Sequence, residues 1–332
     1  MGNKLCNCNS NINKENNQNS NEDNNNNFIS NISNKNKNLN SSINKNEKNS
    51  LLNINKNNLK SITKLSNLNF INNPENNPNS NKVKNGFGIR NYLNNNKFIG
   101  NSINNLYEGY GIYYYNNGDI YKGEFKLDKE NGYGEYNHLN EVIFYGYWNN
   151  NLINNIGYEI YCDESEFYGE YKNGKKNGIG TYKFKDGSYY EGEFEDNKFN
   201  GYGIYYFNDM NYNRIYFGMW NNNEMNGYGE YYGKNNKKYF GFFKNNKKNG
   251  FGILFFENEK FFVGFWKNGK QNGIGKYING ELFKYGLWNN GIKINWFHNQ
   301  NEFINYLDSN DKKYLIMFNM DLNEIKNFMQ IN

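Results

Sequence analysis

The residues best placed to undergo chemistry stand at the start of the chain: Met1-Gly2-Asn3-Lys4-Leu5-Cys6-Asn7-Cys8. Removal of Met1 would expose Gly2 to N-myristoylation, although Cys6 stands where the usual acceptor motif has Ser or Thr. Cys6 and Cys8 are placed for S-palmitoylation. A single myristoyl chain holds a protein at a membrane only marginally, so stable anchoring takes a second signal. The two thiols would supply it, helped by Lys35, Lys37, Lys45, Lys48, Lys56, Lys60 and Lys64. Each basic side chain near an anionic leaflet adds about 1 kcal/mol at best. A Cys-x-Cys pair can also bind metal or cycle between thiol and disulfide, but no further ligands accompany this one, and acylation is the better reading.

Elsewhere the residue types that make catalytic sites do not come together. His138 and His298 are far apart and lack companion ligands, so no metal site is expected. The many Gly-x-Gly steps lack the downstream Gly-Lys-Ser/Thr of a phosphate loop and the strand–turn–helix setting of a dinucleotide fingerprint, so no cofactor is expected. Glu124, Glu170 and Glu193 recur at a fixed spacing and read as a solvated strand face that balances the turn lysines. Cys162 is solitary and reads as a packed thiol. No nucleophile–base pairing is visible, so the chain is read as a non-enzyme. No apolar run approaches a membrane span, and the chain reads as cytosolic.

The dominant order is a repeat. Aromatic-x-Gly-x-aromatic steps occur at Tyr121-Gly123-Phe125, Phe144-Gly146-Trp148, Tyr190-Gly192-Phe194, Tyr216-Gly218-Trp220 and Phe262-Gly264-Trp266. Gly169 and Gly241 hold the same place. Gly-x-Gly steps alternate with them, as in Gly132-Gly134-Tyr136 and in the pair Gly178 and Gly180. The period is 23 residues, lengthened once to 26 between Gly192 and Gly218 and shortened once to 22 between Gly264 and Gly286. Alternate residues of a strand share a face, so ring, glycine and ring line up on one side. The Asn-, Lys- and Gly-rich stretches between are turn chemistry. Each repeat therefore reads as a β-hairpin, with rings lying flat over glycines that offer no competing side chain.

This pattern resembles the MORN (membrane occupation and recognition nexus) repeat family over residues 84–290, about eight repeats with a half repeat at each end. Four departures are local: Ser102 in place of a ring, Asn155 in place of a glycine, Lys284 in place of an aromatic, and the insertion within 208–214. The resemblance implies a mostly β fold, an elongated single-layer antiparallel sheet of stacked hairpins. At about 4.7–4.9 Å per strand, sixteen or more strands would span on the order of 80 Å.

Composition sets the remaining boundaries. Residues 1–82 hold 33 asparagines, both prolines (Pro74 and Pro78) and no glycine beyond Gly2, and so read as a disordered head. That head carries ten lysines against five acids, whereas the rest holds 28 basic and 28 acidic residues, so the array at 83–290 is neutral and is not read as a nucleic-acid binder. Leu51, Leu52, Leu59, Ile62, Leu65, Leu68 and Phe70 form a weakly amphipathic stretch of that head. Segment 291–332 reads as a short helical cap on the final hairpin: one helix around Phe303–Leu307, and another opened by Asp321 with Glu324 as a capping box. The acylated, basic head would fix the chain on the cytoplasmic face of a plasma or inner membrane and present the array as a scaffold to protein partners, and the resemblance implies action at a membrane–cytoskeleton junction, with homo-oligomers among the expected states. Two alternatives stay open: an array that binds phosphoinositide or other anionic lipid through Lys175, Lys176, Lys247 and Lys248, and a targeting subunit of an enzyme assembly.

Overall fold

The computed structural model describes residues 85–209 and 212–328. Gly2, Cys6, Cys8, the prolines, the apolar stretch at 51–70 and Met329 lie outside them. Among the described residues, 19 strands make one antiparallel sheet in which each strand pairs with the next in sequence, from β1 (Gly86–Asn91) on β2 (Lys97–Ile103) to β18 (Leu282–Asn289) on β19 (Ile292–Trp296).

The hairpin of β4 (Ile120–Lys126) and β5 (Lys129–His138) shows how a repeat is built. Tyr121 faces Tyr136 and Gly123 faces Gly134, but Phe125 faces Glu130, so β5 bulges at Asn131–Tyr133 opposite Glu124. The two glycines of β5 have different causes. At Gly134 the cause is crowding: a Cβ there would lie 2.5 Å from the Tyr121 ring. At Gly132 it is the bulge, which sets φ to +103°, a region closed to most side chains. The pair two repeats on divides in the same way. Gly180 faces Gly169, and a Cβ on Gly180 would lie 2.6 Å from the Phe167 ring, whereas Gly178 sits at φ +103°. Gly180 therefore does not share its cause with Gly178, although both were read as seats for a ring. The bulge position of the intervening repeat holds Asn155 at φ +71°, and asparagine tolerates that region. The departure at Asn155 thus falls where the backbone admits it.

The recurring glutamates stand on a solvated face as read, Glu124 and Glu170 exposed and Glu193 half-buried, and they also bond to the backbone. Glu124 Oε1 accepts from the Tyr133 amide at 3.2 Å, Glu193 Oε1 from Tyr202 at 3.2 Å, and Glu170 Oε2 from Ile179 at 3.3 Å. Their carboxylates cap amides that each bulge withdraws from the ladder. Turn asparagines do comparable work between repeats. Asn151, Asn197, Asn223 and Asn246 accept from the amides of Glu130, Lys176, Phe199 and Met225 at 2.7–2.8 Å. The insertion is taken up as hairpin length, with Phe207 facing Arg214 and Asp209 facing Tyr212.

Ring follows ring along one face, here the aromatic face. Tyr121 meets Phe125 edge-on at 5.1 Å and Trp148 at 5.3 Å; Phe144 meets Trp148 at 5.5 Å and Tyr171 at 5.4 Å. This contact order runs from Phe98 to Trp288, and the central rings are fully buried. Where the central ring is tyrosine, its hydroxyl donates to the carbonyl three residues on: Glu124, Glu193, Met219 or Phe242.

The opposite face is covered over its last strands by the C-terminal segment. Three helices (Gln300–Asn305, Leu315–Asn319 and Leu322–Phe328) bring Phe303, Phe318 and Ile325 against Phe251, Val263, Ile274 and Tyr285. The capping box forms as read, with Glu324 N on Asp321 Oδ1 and Asp321 N on Glu324 Oε2, both 2.8 Å. The segment covers a face and not the last edge, since Ile292–Asn295 of β19 stay exposed. The cause is apolar supply: Phe240, Ile253, Phe261, Val263 and Ile278 give this end a larger oily second face than the small cluster of Tyr133, Tyr158 and Tyr168 in earlier repeats.

Candidate functional site: the aromatic face

Two rows of side chains overlie the buried rings and differ from repeat to repeat. The first stands five residues after the second ring of each first arm: Tyr107, Glu130, Ile153, Lys176, Phe199, Met225, Lys248 and Gln271. These residues close over the central rings. Tyr107 stacks on Phe98 at 3.6 Å and Phe199 on Tyr190 at 3.8 Å, while the Lys176 ammonium sits 4.8 Å from the Phe167 centroid. The second row stands two residues after the second glycine: Tyr113, Tyr136, Glu159, Tyr182, Tyr205, Tyr231, Leu254 and Tyr277.

Charge enters this face at three places. Glu130 is buried, and burial pushes its carboxyl up to about 7 even though the Tyr115 hydroxyl, donating at 2.5 Å, pulls the other way. Lys176 and Glu159 are a buried pair, Nζ to Oε2 at 2.6 Å, with Lys176 Nζ also 2.7 Å from the Tyr161 hydroxyl. Lys248 lies 4.7 Å from the Tyr239 centroid and 4.8 Å from that of Trp266, and burial holds its ammonium down at about 8.

Around Lys248 the face opens into a groove of about 550 Å³. Its lining brings together Arg214, Lys234, Lys237, Lys238, Lys248 and Lys270, with no Asp or Glu. The sequence hides this cluster because the array is neutral overall and its cations come from four strands and one turn. Of the four turn lysines named in advance, only Lys248 lies there. Lys175 pairs with Asp196 at 3.2 Å, Lys176 with Glu159, and Lys247 is exposed at the start of its strand.

His138 has close partners that its spacing did not advertise. Nδ1 is 2.7 Å from Asp119 and Nε2 is 2.7 Å from Glu141. Burial raises the Asp119 carboxyl, but hydrogen bonds from Tyr136, Leu139, Asn117 and His138 outweigh it and bring it down to about 2. With the Tyr136 hydroxyl, the Leu139 amide and the Asn117 side-chain amide as the other partners of Asp119, the group ties the end of β5 to the turn before β4. Among the described residues no group of three His, Cys, Asp or Glu could hold a metal ion. Cys162 is exposed, which corrects the packed-thiol reading: it sits in the turn after Tyr161 and not in a strand. Ser102, the first departure, is buried and faces Tyr107 across the hairpin.

The MORN repeat model matches at residues 98–120, 121–137, 167–189, 190–209, 216–238, 239–259 and 262–280. The longest stretch between matched repeats, 138–166, is the one that carries Asn155 and Glu159. No curated protein matches the chain. Among solved structures, the G-box domain of the microcephaly protein CPAP is similar at 8% identity and a TM-score of 0.34, over 60% of this chain and 97% of that one. The TCP domain of SAS-4 (dCPAP) of Drosophila melanogaster, solved with a proline-rich motif, is similar at 13% identity and a TM-score of 0.28, over 51% of this chain and 82% of that one.

Proposed function

The chain belongs to the MORN repeat family, and on that premise we propose that it is a non-enzymatic scaffold, held on the cytoplasmic face of a membrane by acyl chains on Gly2, Cys6 and Cys8, whose repeat sheet receives protein partners at a membrane–cytoskeleton junction. The observation that carries the reading is the aromatic face. Its outer row of half-buried tyrosines, Tyr113, Tyr136, Tyr182, Tyr205 and Tyr231, runs across successive repeats over a rigid floor of buried rings. Tyrosines held this way offer large apolar area and a hydroxyl while losing little conformational freedom, which is what protein interfaces use.

Membrane fractionation of the full chain with Gly2→Ala, and separately with Cys6→Ala/Cys8→Ala, tests the anchoring. Movement of both variants to the soluble fraction supports dual acylation. If both stay with the membrane, attachment by Gly2, Cys6 and Cys8 is wrong. Paired Tyr182→Ala/Tyr205→Ala, which strips two adjacent tyrosines from the outer row, tests the partner face. Cross-linked partners of the unaltered chain should be lost while membrane association stays; retention of every partner would move the interface elsewhere.

A further inference from the structure

Lys176 and Lys248 occupy the same place in repeats three periods apart, each closing over a central ring. Lys176 has a counter-ion built in, because the residue 17 positions before it is Glu159. The residue 17 positions before Lys248 is Tyr231, and among the described residues no carboxylate pairs with Lys248. The fold thus pairs one buried ammonium and leaves its equivalent without an anion, in the place where the face widens and five other cations gather.

We infer that the groove around Lys248 is a binding site for a compact polyphosphate ligand, whose phosphate oxygens stand where Glu159 stands for Lys176. Arg214, Lys234, Lys237, Lys238 and Lys270 rim the groove and supply further donors. Its volume of about 550 Å³ is within the range of small-molecule sites and too short for a long chain segment. The half-buried Tyr231 would lie against a planar or sugar ring borne by the phosphates, and the Arg214 guanidinium, 4.8 Å over Phe207, carries the planar donor fork that phosphate groups accept. Lys237 adds repulsion to the burial that depresses Lys248, so an incoming anion relieves both. The site needs neither acyl chains nor a protein partner, and so stands or falls apart from the scaffold reading.

The test uses the full, unacylated chain and titration calorimetry with inorganic tripolyphosphate at pH 8. Saturable binding at one per chain is expected, with proton uptake as Lys248 regains its charge, read as a heat that depends on the buffer. Lys248→Met removes the charge and keeps the stem over the rings. Tyr231→Glu builds into this repeat the carboxylate that Lys176 already has. Both should weaken binding by about tenfold or more, with Tyr231→Glu melting no lower than the parent, while Lys247→Met, outside the groove, binds as the parent does. Vesicles of phosphatidylcholine with and without phosphatidylinositol bisphosphate separate the sources: capture only by the phosphorylated vesicles assigns a lipid headgroup, and tripolyphosphate binding without capture assigns a soluble ligand. The proposal is overturned if neither probe binds saturably, or if binding survives both Lys248→Met and Tyr231→Glu.

Discussion

The Lys176 ammonium meets the Glu159 carboxylate at 2.6 Å on the aromatic face, at two positions where other repeats carry Phe199 and Tyr182. Both side chains are about nine-tenths buried. A buried pair of this kind costs more to break than it gains over an apolar replacement. Lys176→Met should therefore destabilise the chain by about 3–5 kcal/mol, because Glu159 is left buried and alone. The exchange Glu159→Tyr/Lys176→Phe restores the pattern of neighbouring repeats and should match or exceed the parent. Urea midpoints by tryptophan fluorescence check both. A double variant no better than the single one would show that the pair holds its repeats together in a way rings do not.

Glu130 gives the array a pH dependence of known sign. Its carboxyl is held at about 7 in the folded chain against an ordinary 4.5, by burial. The folded state thus binds the proton more tightly than the unfolded state, and stability falls as pH rises from about 4.5 to about 7, staying low above that. The shift corresponds to at most about 3 kcal/mol. Glu130→Gln should remove this component of the slope and melt higher than the parent at pH 8. Thermal unfolding between pH 5 and 8 reads it; parallel slopes in parent and variant would place the proton elsewhere.

The facing glycines are limited by space. A Cβ on Gly123 would lie 2.7 Å from the Gly134 Cα, which is backbone and cannot rotate away. Gly123→Ala should cost at least the 1–3 kcal/mol or so of an overpacked core. Gly88, the counterpart of Gly134 in β1, faces Gly100 but has open space around it, so Gly88→Ala should leave the melting temperature within about a degree or two of the parent. Equal losses at the two sites would mean that backbone freedom, and not ring packing, sets the requirement.

How much of this was legible follows from which interactions repeat. The hairpins, the ring-over-glycine packing and the Asp321–Glu324 box are local or periodic, and pattern alone carries them. The two kinds of glycine were not separable, because Gly132 and Gly134, like Gly178 and Gly180, look alike until the bulge before the second of each pair is known. The Glu124 and Asn151 hydrogen bonds looked like surface polarity and composition for the same reason. The groove around Lys248 was hidden by averaging: six cations from four strands and one turn vanish within a neutral array, and the informative signal was the failure of Tyr231 to match Glu159. The helices read around Phe303–Leu307 and from Asp321 on were placed on an edge because open sheets need one covered, and the helix at Leu315–Asn319 was not read at all. What drew them to a face was the apolar row of Phe251, Ile253, Phe261 and Val263, which differs from earlier repeats in residues that a repeat pattern treats as variable.

That covered face makes the last prediction. Lys276 is buried under the helices and its ammonium donates to the carbonyls of Phe318 and Met320 at 3.0 and 2.9 Å, tying the segment to the sheet from below. Phe318, fully buried, packs edge-on against Phe251 at 5.3 Å and Phe303 at 4.8 Å. Phe318→Ala should cost about 3–5 kcal/mol at this end. In a repeat array each unit leans only on its neighbours, so the loss should stay local. Hydrogen exchange should show the amides of residues 300–328 and of β15 (Lys247–Phe255) to β17 (Lys270–Asn279) opening faster, while β4 to β9 (Lys175–Lys183) keep their protection. Uniform acceleration along the whole sheet would mean that the array unfolds as one unit and that the C-terminal helices stabilise all of it.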